Sequence, residues 1–376
     1  MSFTNIIDYV KKADSRLNLR NFADADALVF SQLAYLDFSC FKSGTPFLKM
    51  GGKAQESAAK SHSFVQNEEL LRAISLSPRF RIVKVAKHVS ETNLLFEMQF
   101  SATTFLVSRG LIVVSFRGTD NTINGWKEDF NMVFIDEIPA QSKAAAYLKR
   151  VASKYPLHKI IVTGHSKGGN LAIYAAMKQT KSTKKKIVSV YSLDGPEFRK
   201  QIASSKAYLE IIPKVKKIVP EESIIGMILQ INSFYYIVKS DGSLFAQHNL
   251  YNWHVDDENG ELIHLEQLSK TSRRIKNSLY AWLNGFSVSD RQIIIDNFFD
   301  MMLASECETL SDFLENWKKH VKVIYGEYRE SDNYTKKLLR RAFIDLAKNL
   351  LANSFASEKK IKSVSTLNSR EEPEKK

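Results

Sequence analysis

Residues 161–170 read IVTGHSKGGN. Glycines stand two places before and two places after Ser166, and Gly169 extends the run. A serine in the pattern G-x-S-x-G can act as a nucleophile when it sits on a sharp strand-to-helix turn. Small residues let the helix fold back over the strand and leave the hydroxyl accessible. The start of that helix then points backbone N–H groups, and the positive end of its dipole, at charge developing beside Ser166. HKIIVT before the pattern reads as a strand and NLAIYAAMK after it as a helix, which is the context this chemistry needs. A plain packing turn uses the same glycines, so partner groups must be found elsewhere in the chain.

A nucleophilic serine needs a base, an acid that orients the base, and donors for an oxyanion. The strand end SFRGTDNTINGWKEDF (115–130) releases the backbone at Gly118 and can aim the N–H of Thr119, with its hydroxyl as a further donor, at the oxyanion. The N–H of Lys167, the residue after the nucleophile, is the second donor. Among the histidines, His248 in AQHNLYNW follows the last strands, where a loop at the sheet edge can carry it over Ser166. His254 is the alternative, and His165, inside the elbow, shapes the turn. Two places compete for the acid. Asp194 in YSLDGPEF ends the strand after the nucleophile helix, and Glu221 and Glu222 in VPEES end the next one. Asp194 is preferred and Glu222 is the alternative, although Asp194-Gly195-Pro196 also reads as a turn and Glu222 as a helix cap.

These residues have to be positioned by regular elements. Residues 20–42 read as a helix with an apolar stripe of Leu28, Phe30, Leu33, Leu36 and Phe38; 43–65 read as a loop and 67–77 as a second helix. Segments 79–89, 94–107 and 110–118 read as successive strands, and LIVVSF in the last is a continuous apolar run of the kind buried on both faces. From 142 to 219 helices and strands alternate, which predicts a mostly parallel, doubly wound α/β sheet. FYYIVKSDGSLFAQ (234–247) reads as a hairpin turning at Asp241-Gly242. Beyond 260 four helical segments follow, so the chain divides into a core at 1–260, an all-helical C-terminal subdomain at 261–355, and a mobile polar tail at 356–376.

The chain has 376 residues, enough for one large core with an accessory subdomain. Two cysteines, Cys40 and Cys307, stand far apart and give neither a disulfide framework nor a metal-type spacing, so both are expected reduced and buried. The first 22 residues lack a basic start followed by an apolar run, and no stretch of about 18 apolar residues occurs, so neither a secretory leader nor a membrane span is expected and a cytoplasmic location is. The net charge is +13. A single-sign field favours anionic partners, and peripheral contact with an anionic membrane surface fits it. No zinc finger, RNP signature or basic helix interleaved with aromatics is present, so nucleic acid is not an expected partner.

In FRGTDNTINGWKEDF followed by GHSKGGN, the chain resembles the class 3 (fungal type) lipases. More closely, it is similar to the bacterial Mbeg1-like branch of the α/β-hydrolases, through DALVFSQLAYLDF, SFRGTDNTINGWKEDF, VTGHSKGGNLAIYAA, YSLDGPEF, IVPEESIIGMIL and QHNLYNWHV. The resemblance implies an α/β-hydrolase fold and a serine hydrolase of lipase or esterase type with an ester or lipid substrate. It implies no metal or organic cofactor, and carries Ser166, Thr119, Asp194 and His248 over as site residues. Class 3 lipases place the acid after the following strand, which keeps Glu222 open. A catalytically silent hydrolase fold used as a binding or scaffold protein is the alternative function.

Overall fold

The computed structural model describes residues 4–368 except 60, 62, 121, 230–233, 257, 308, 310, 311, 314 and 315, and the side chains described exclude 94, 124 and 351–368. Its centre is a nine-stranded sheet: β1 (Thr45–Pro46), β2 (Lys84–Asn93), β3 (Met98–Ser108), β4 (Leu111–Phe116), β5 (Lys159–His165), β6 (Ile187–Leu193), β7 (Val215–Pro220), β8 (Tyr236–Val238) and β9 (His264–Leu265). The strands lie side by side in chain order. β4 to β8 pair parallel; β1 to β4 and β8 with β9 pair antiparallel.

Chain-order placement of parallel strands with right-handed crossovers puts every crossover helix on one face. The cores follow this rule. Ile112, Val114 and Phe116 of β4, Ile160 and Val162 of β5, and Val190 of β6 pack with Ala144, Leu148 and Val151 of the helix Pro139–Lys154 and with the helix Lys167–Met177. The alternate residues Leu111, Val113, Ile161, Tyr191 and Leu193 face the helices Asp24–Leu33 and Phe64–Leu76. This period of two explains why LIVVSF is apolar throughout: both of its faces are covered. The helix Asp24–Leu33 is fixed further by Asp26, whose buried carboxylate is held by Arg79 at 2.6 Å and by the Tyr9 hydroxyl at 2.9 Å.

The expected helix over 20–42 is shorter. It ends at Leu33, and the Asp37 side chain accepts from the Ser39 N–H at 2.8 Å, a local turn that competes with helical bonding. Leu36 and Phe38 are nevertheless buried, so the apolar stripe reports the core and not the helix. The loop read at 43–65 contains β1 and the helix Ala54–Ala58. The hairpin read at 234–247 does not form. Gly242 does turn with φ +77°, but the chain then winds into a 3-10 helix, Leu244–His248, and β8 takes its antiparallel partner from β9. Cys307 is buried and Cys40 only partly so; both are free.

The helices Lys270–Asn284, Val288–Ala304, Trp317–Glu330 and Asn333–Asn368 follow the sheet. Leu283, Ile295, Phe299 and Met302 pack on Ile123, Val133 and Phe134 of the segment after β4. The last helix runs on into the segment read as a polar tail, and the rest of that tail lies outside the described residues. Low apolar content there means few packing groups, which does not prevent helical backbone. Among the described residues, no helix is long and apolar enough to cross a membrane. The strand–turn–helix units on a parallel central sheet, with helices on both faces, make this an α/β-hydrolase fold.

Candidate active site

Ser166 joins β5 to the helix Lys167–Met177 with φ 57° and ψ −132°, a backbone conformation that costs an L-residue strain. The close packing behind it explains the glycines. A Cβ on Gly164 would collide with the Gly168 carbonyl, and one on Gly168 with the carbonyl of Phe116. The Ser166 N–H is held by the Leu193 carbonyl at 2.9 Å, so the turn is tied to the end of β6. Ser166 as a whole is 4% exposed.

Asp194, one residue beyond β6, also has a positive φ, 47°, and its N–H is held by the Ile218 carbonyl at 2.8 Å. Its carboxylate is fully engaged. Oδ1 accepts from the Ser223 hydroxyl at 2.5 Å and the Gly226 N–H at 3.1 Å; Oδ2 lies 2.6 Å from His248 Nδ1. Two fixed donors on one oxygen leave the other aimed at the imidazole. His248 therefore carries its proton on Nδ1 and presents Nε2 as the free basic nitrogen.

Glu222 does something else. Its carboxylate accepts from the Leu244 N–H at 2.9 Å, and its own N–H donates to Gln247 Oε1 at 2.8 Å. Glu222 thus caps the 3-10 turn that carries His248. Gln247 secures the same turn through its amide, which donates to the carbonyls of Ser240 at 3.2 Å and Gly242 at 3.1 Å. His254 is buried and pairs through Nε2 with Asp241 at 2.8 Å, away from the Asp194–His248 pair.

At the end of β4, Gly118 stands against Ser166: a Cβ there would come within 2.9 Å of Ser166 Cβ and 2.7 Å of the His165 carbonyl. Thr119 follows directly. Its hydroxyl donates to Asp129 Oδ2 at 2.6 Å. Burial pushes Asp129 up to about 6, against the pull of Lys167 and the Thr119 hydroxyl. The Lys167 side chain turns inward to Glu128 at 2.6 Å and Asp129 at 3.5 Å, with both Lys167 and Glu128 buried. Burial disfavours its ammonium, but the two carboxylates more than offset this and the pKa is raised. Glu128 also accepts the backbone N–H groups of Gln99 at 3.0 Å and Ala140 at 3.2 Å.

Sequence reasoning passed over Tyr35. Its hydroxyl lies 2.9 Å from His165 Nδ1 and packs against Gly118, where a Cβ would come within 2.4 Å of it. His165 Nε2 lies 2.7 Å from the His248 carbonyl, which can only accept, so Nε2 carries the proton and Nδ1 accepts from Tyr35. Burial and the neighbouring His248 hold the His165 pKa well below the usual histidine range. Ser223, Gly226 and Gln247 were missed as well. Ser223 and Gly226 have no local signal, because the Asp194 carboxylate they hold lies in a segment remote in sequence.

The Mbeg1-like family profile matches residues 74–300, more than half of the chain. Solved structures similar to the chain include a mutant form of MDLA from Penicillium cyclopium, at 14% identity over 57% of this chain and 78% of that one, TM-score 0.37. The lipase of Rhizopus microsporus var. chinensis matches at 16% identity over 58% and 75%, TM-score 0.36. Lip2 lipase of Yarrowia lipolytica matches at 15% identity over 67% and 86%, TM-score 0.34. No curated protein matches the chain. On the family profile, which spans both Ser166 and the Asp194–His248 pair, the chain belongs to the Mbeg1-like family.

Proposed function

We propose that this protein is a serine hydrolase of lipase or esterase type that cleaves a carboxylic ester through an acyl-enzyme on Ser166. The observation that carries the reading is the 2.6 Å contact between Asp194 Oδ2 and His248 Nδ1, with Ser166 on a strained turn against the same strand end. His248 Nε2 takes the proton of Ser166 Oγ as the oxygen attacks the ester carbonyl. Asp194 keeps the imidazole in that tautomer and stabilises the imidazolium that forms. The N–H groups of Thr119 and Lys167 receive the oxyanion, the second reinforced by the N-terminal end of the helix Lys167–Met177. His248 returns the proton to the leaving alkoxide or thiolate, and water then releases the acid by the reverse sequence.

The substrate class is an ester or thioester, lipid substrates included, and the positive net charge supports work at an anionic membrane surface in the cytoplasm. Labelling with a fluorophosphonate tests the reading. The intact protein is expected to label and Ser166→Ala is not; a folded wild-type protein that fails to label and to turn over an aryl ester overturns it in favour of a silent scaffold.

A further inference from the structure

Between residues 199–201, the 3-10 turn Ile225–Met227 and the helices Lys270–Asn284 and Val288–Ala304 lies a cavity of about 670 Å³. None of Ser166, Asp194, His248, Thr119 or Lys167 lines it. Its walls are divided chemically: Met227, Leu279 and Leu283 are apolar, while Arg199, Lys200 and Arg291 bring three cations and no carboxylate lines it among the described residues.

We propose that this cavity binds an acyl chain bearing a terminal anion, with the guanidiniums of Arg199 and Arg291 on the anion and Met227, Leu279 and Leu283 along the chain. The two guanidiniums are anchored rather than free to swing. Arg199 Nη1 donates to the Phe134 carbonyl and to Asp136, both at 2.7 Å, and Arg291 Nη1 donates to the neighbouring Val133 carbonyl at 3.3 Å. Consecutive carbonyls of one segment therefore hold the two side chains side by side. The Arg199 side chain is only 11% exposed, and Arg291 Nε is buried without a hydrogen-bond partner among the described residues.

Two like charges held side by side repel each other, and only Arg199 has a carboxylate partner, Asp136, among the described residues. Burial and Arg199 both act against the Arg291 cation. An anion between them offsets that repulsion, and planar guanidinium forks match carboxylate and phosphate oxygens. Anion alone would leave the apolar wall wet, and an uncharged chain would leave Arg291 without a counter-charge among the described residues; one ligand carrying both parts satisfies both walls. Two sources share this chemistry, a free fatty carboxylate and an anionic phospholipid. The assignment does not depend on Ser166 reacting, so its test measures binding and not turnover.

The probe is dansylaminoundecanoate, whose fluorescence rises in an apolar site, compared with its uncharged amide on the full chain. The carboxylate is expected to bind, and the amide about tenfold more weakly or worse, the loss of one charge-assisted bond. Arg291→Gln should bring the carboxylate down to the amide's affinity and leave the amide unchanged. Val288→Trp, at a cavity-lining position 44% exposed and so tolerant of a larger side chain, should block both probes. Displacement by dodecanoate assigns the free acid, and displacement by soluble dihexanoyl phosphatidylglycerol assigns the phospholipid. Equal binding of the two probes, binding indifferent to Val288→Trp, or displacement by neither competitor overturns the proposal. If Arg291→Gln does not fold, the two probes and Val288→Trp decide alone.

Discussion

His165 Nε2 donates to the main-chain carbonyl of His248 at 2.7 Å, and the two imidazole rings lie 4.4 Å apart between centroids. The residue immediately before the proposed nucleophile thus fastens the backbone of the proposed base. Tyr35 extends the connection from His165 Nδ1, and its hydroxyl packs against Gly118, the residue before Thr119. Networks of this kind hold reacting groups in register at little cost during the reaction.

The acid is tested by two substitutions. Asp194→Asn keeps the shape but removes the charge facing His248, and kcat on an aryl ester should fall about 10⁴-fold. Glu222→Gln retains an acceptor for the Leu244 N–H and should change kcat by less than about tenfold. A larger loss at Glu222 than at Asp194 would reverse the assignment.

Tyr35→Phe removes one hydroxyl and strands one buried acceptor, His165 Nδ1. Thermal or urea unfolding should show a loss of about 1–3 kcal/mol. Fluorophosphonate labelling of Ser166 should persist at a lower rate, with kcat reduced and KM little changed. Unchanged stability and rate together would show that the chain of bonds positions nothing.

The depressed pKa of His165 has a stability consequence with a definite sign. A base that the fold keeps neutral contributes stability that is present above its unfolded pKa and is lost as pH falls toward its folded one. Stability should therefore decline below about pH 6.5, with a slope of up to about 1.4 kcal/mol per pH unit from this group. His165→Gln, whose amide can still donate to the His248 carbonyl, should flatten that slope in urea titrations between about pH 6.5 and about pH 5. An identical slope in the variant removes His165 as its source.

Lys167 separates backbone from side chain. Its N–H is the proposed oxyanion donor, while its ammonium neutralises Glu128 inside the protein. Lys167→Met leaves a buried carboxylate uncompensated and should cost about 3–5 kcal/mol. Adding Glu128→Gln should recover most of that loss, and the folded double variant should keep kcat within about tenfold of wild type because the N–H is retained. A double variant that is stable yet inactive would instead place the ammonium in the chemistry.

How much of this was legible in advance differs from residue to residue. The turn at Ser166 was readable because its causes are local: glycines at fixed spacing, an apolar strand before them and a helix after. The buried β4 was readable for the same reason, since continuous apolarity directly reports cover on both faces. The helix over 20–42 overran because Leu36 and Phe38 are buried by long-range packing whatever their backbone does. The hairpin at 241–242 failed because a turn residue specifies a local bend and not which strand pairs next; that was decided by β9, more than twenty residues on.

Sequence alone therefore determined the elbow, the alternation of helices and strands over 142–219, and the short set of histidines and carboxylates that could serve Ser166. Which of these groups stand together belongs to the tertiary structure. Asp194 and Glu222 both follow parallel strands and look alike along the chain. Ser223 and Gly226 occupy one oxygen of Asp194 and turn the other to His248, while Leu244 takes the carboxylate of Glu222. Which hydrogen bonds a carboxylate makes depends on the donors that distant segments bring to it, and spacing along one chain does not encode those distances.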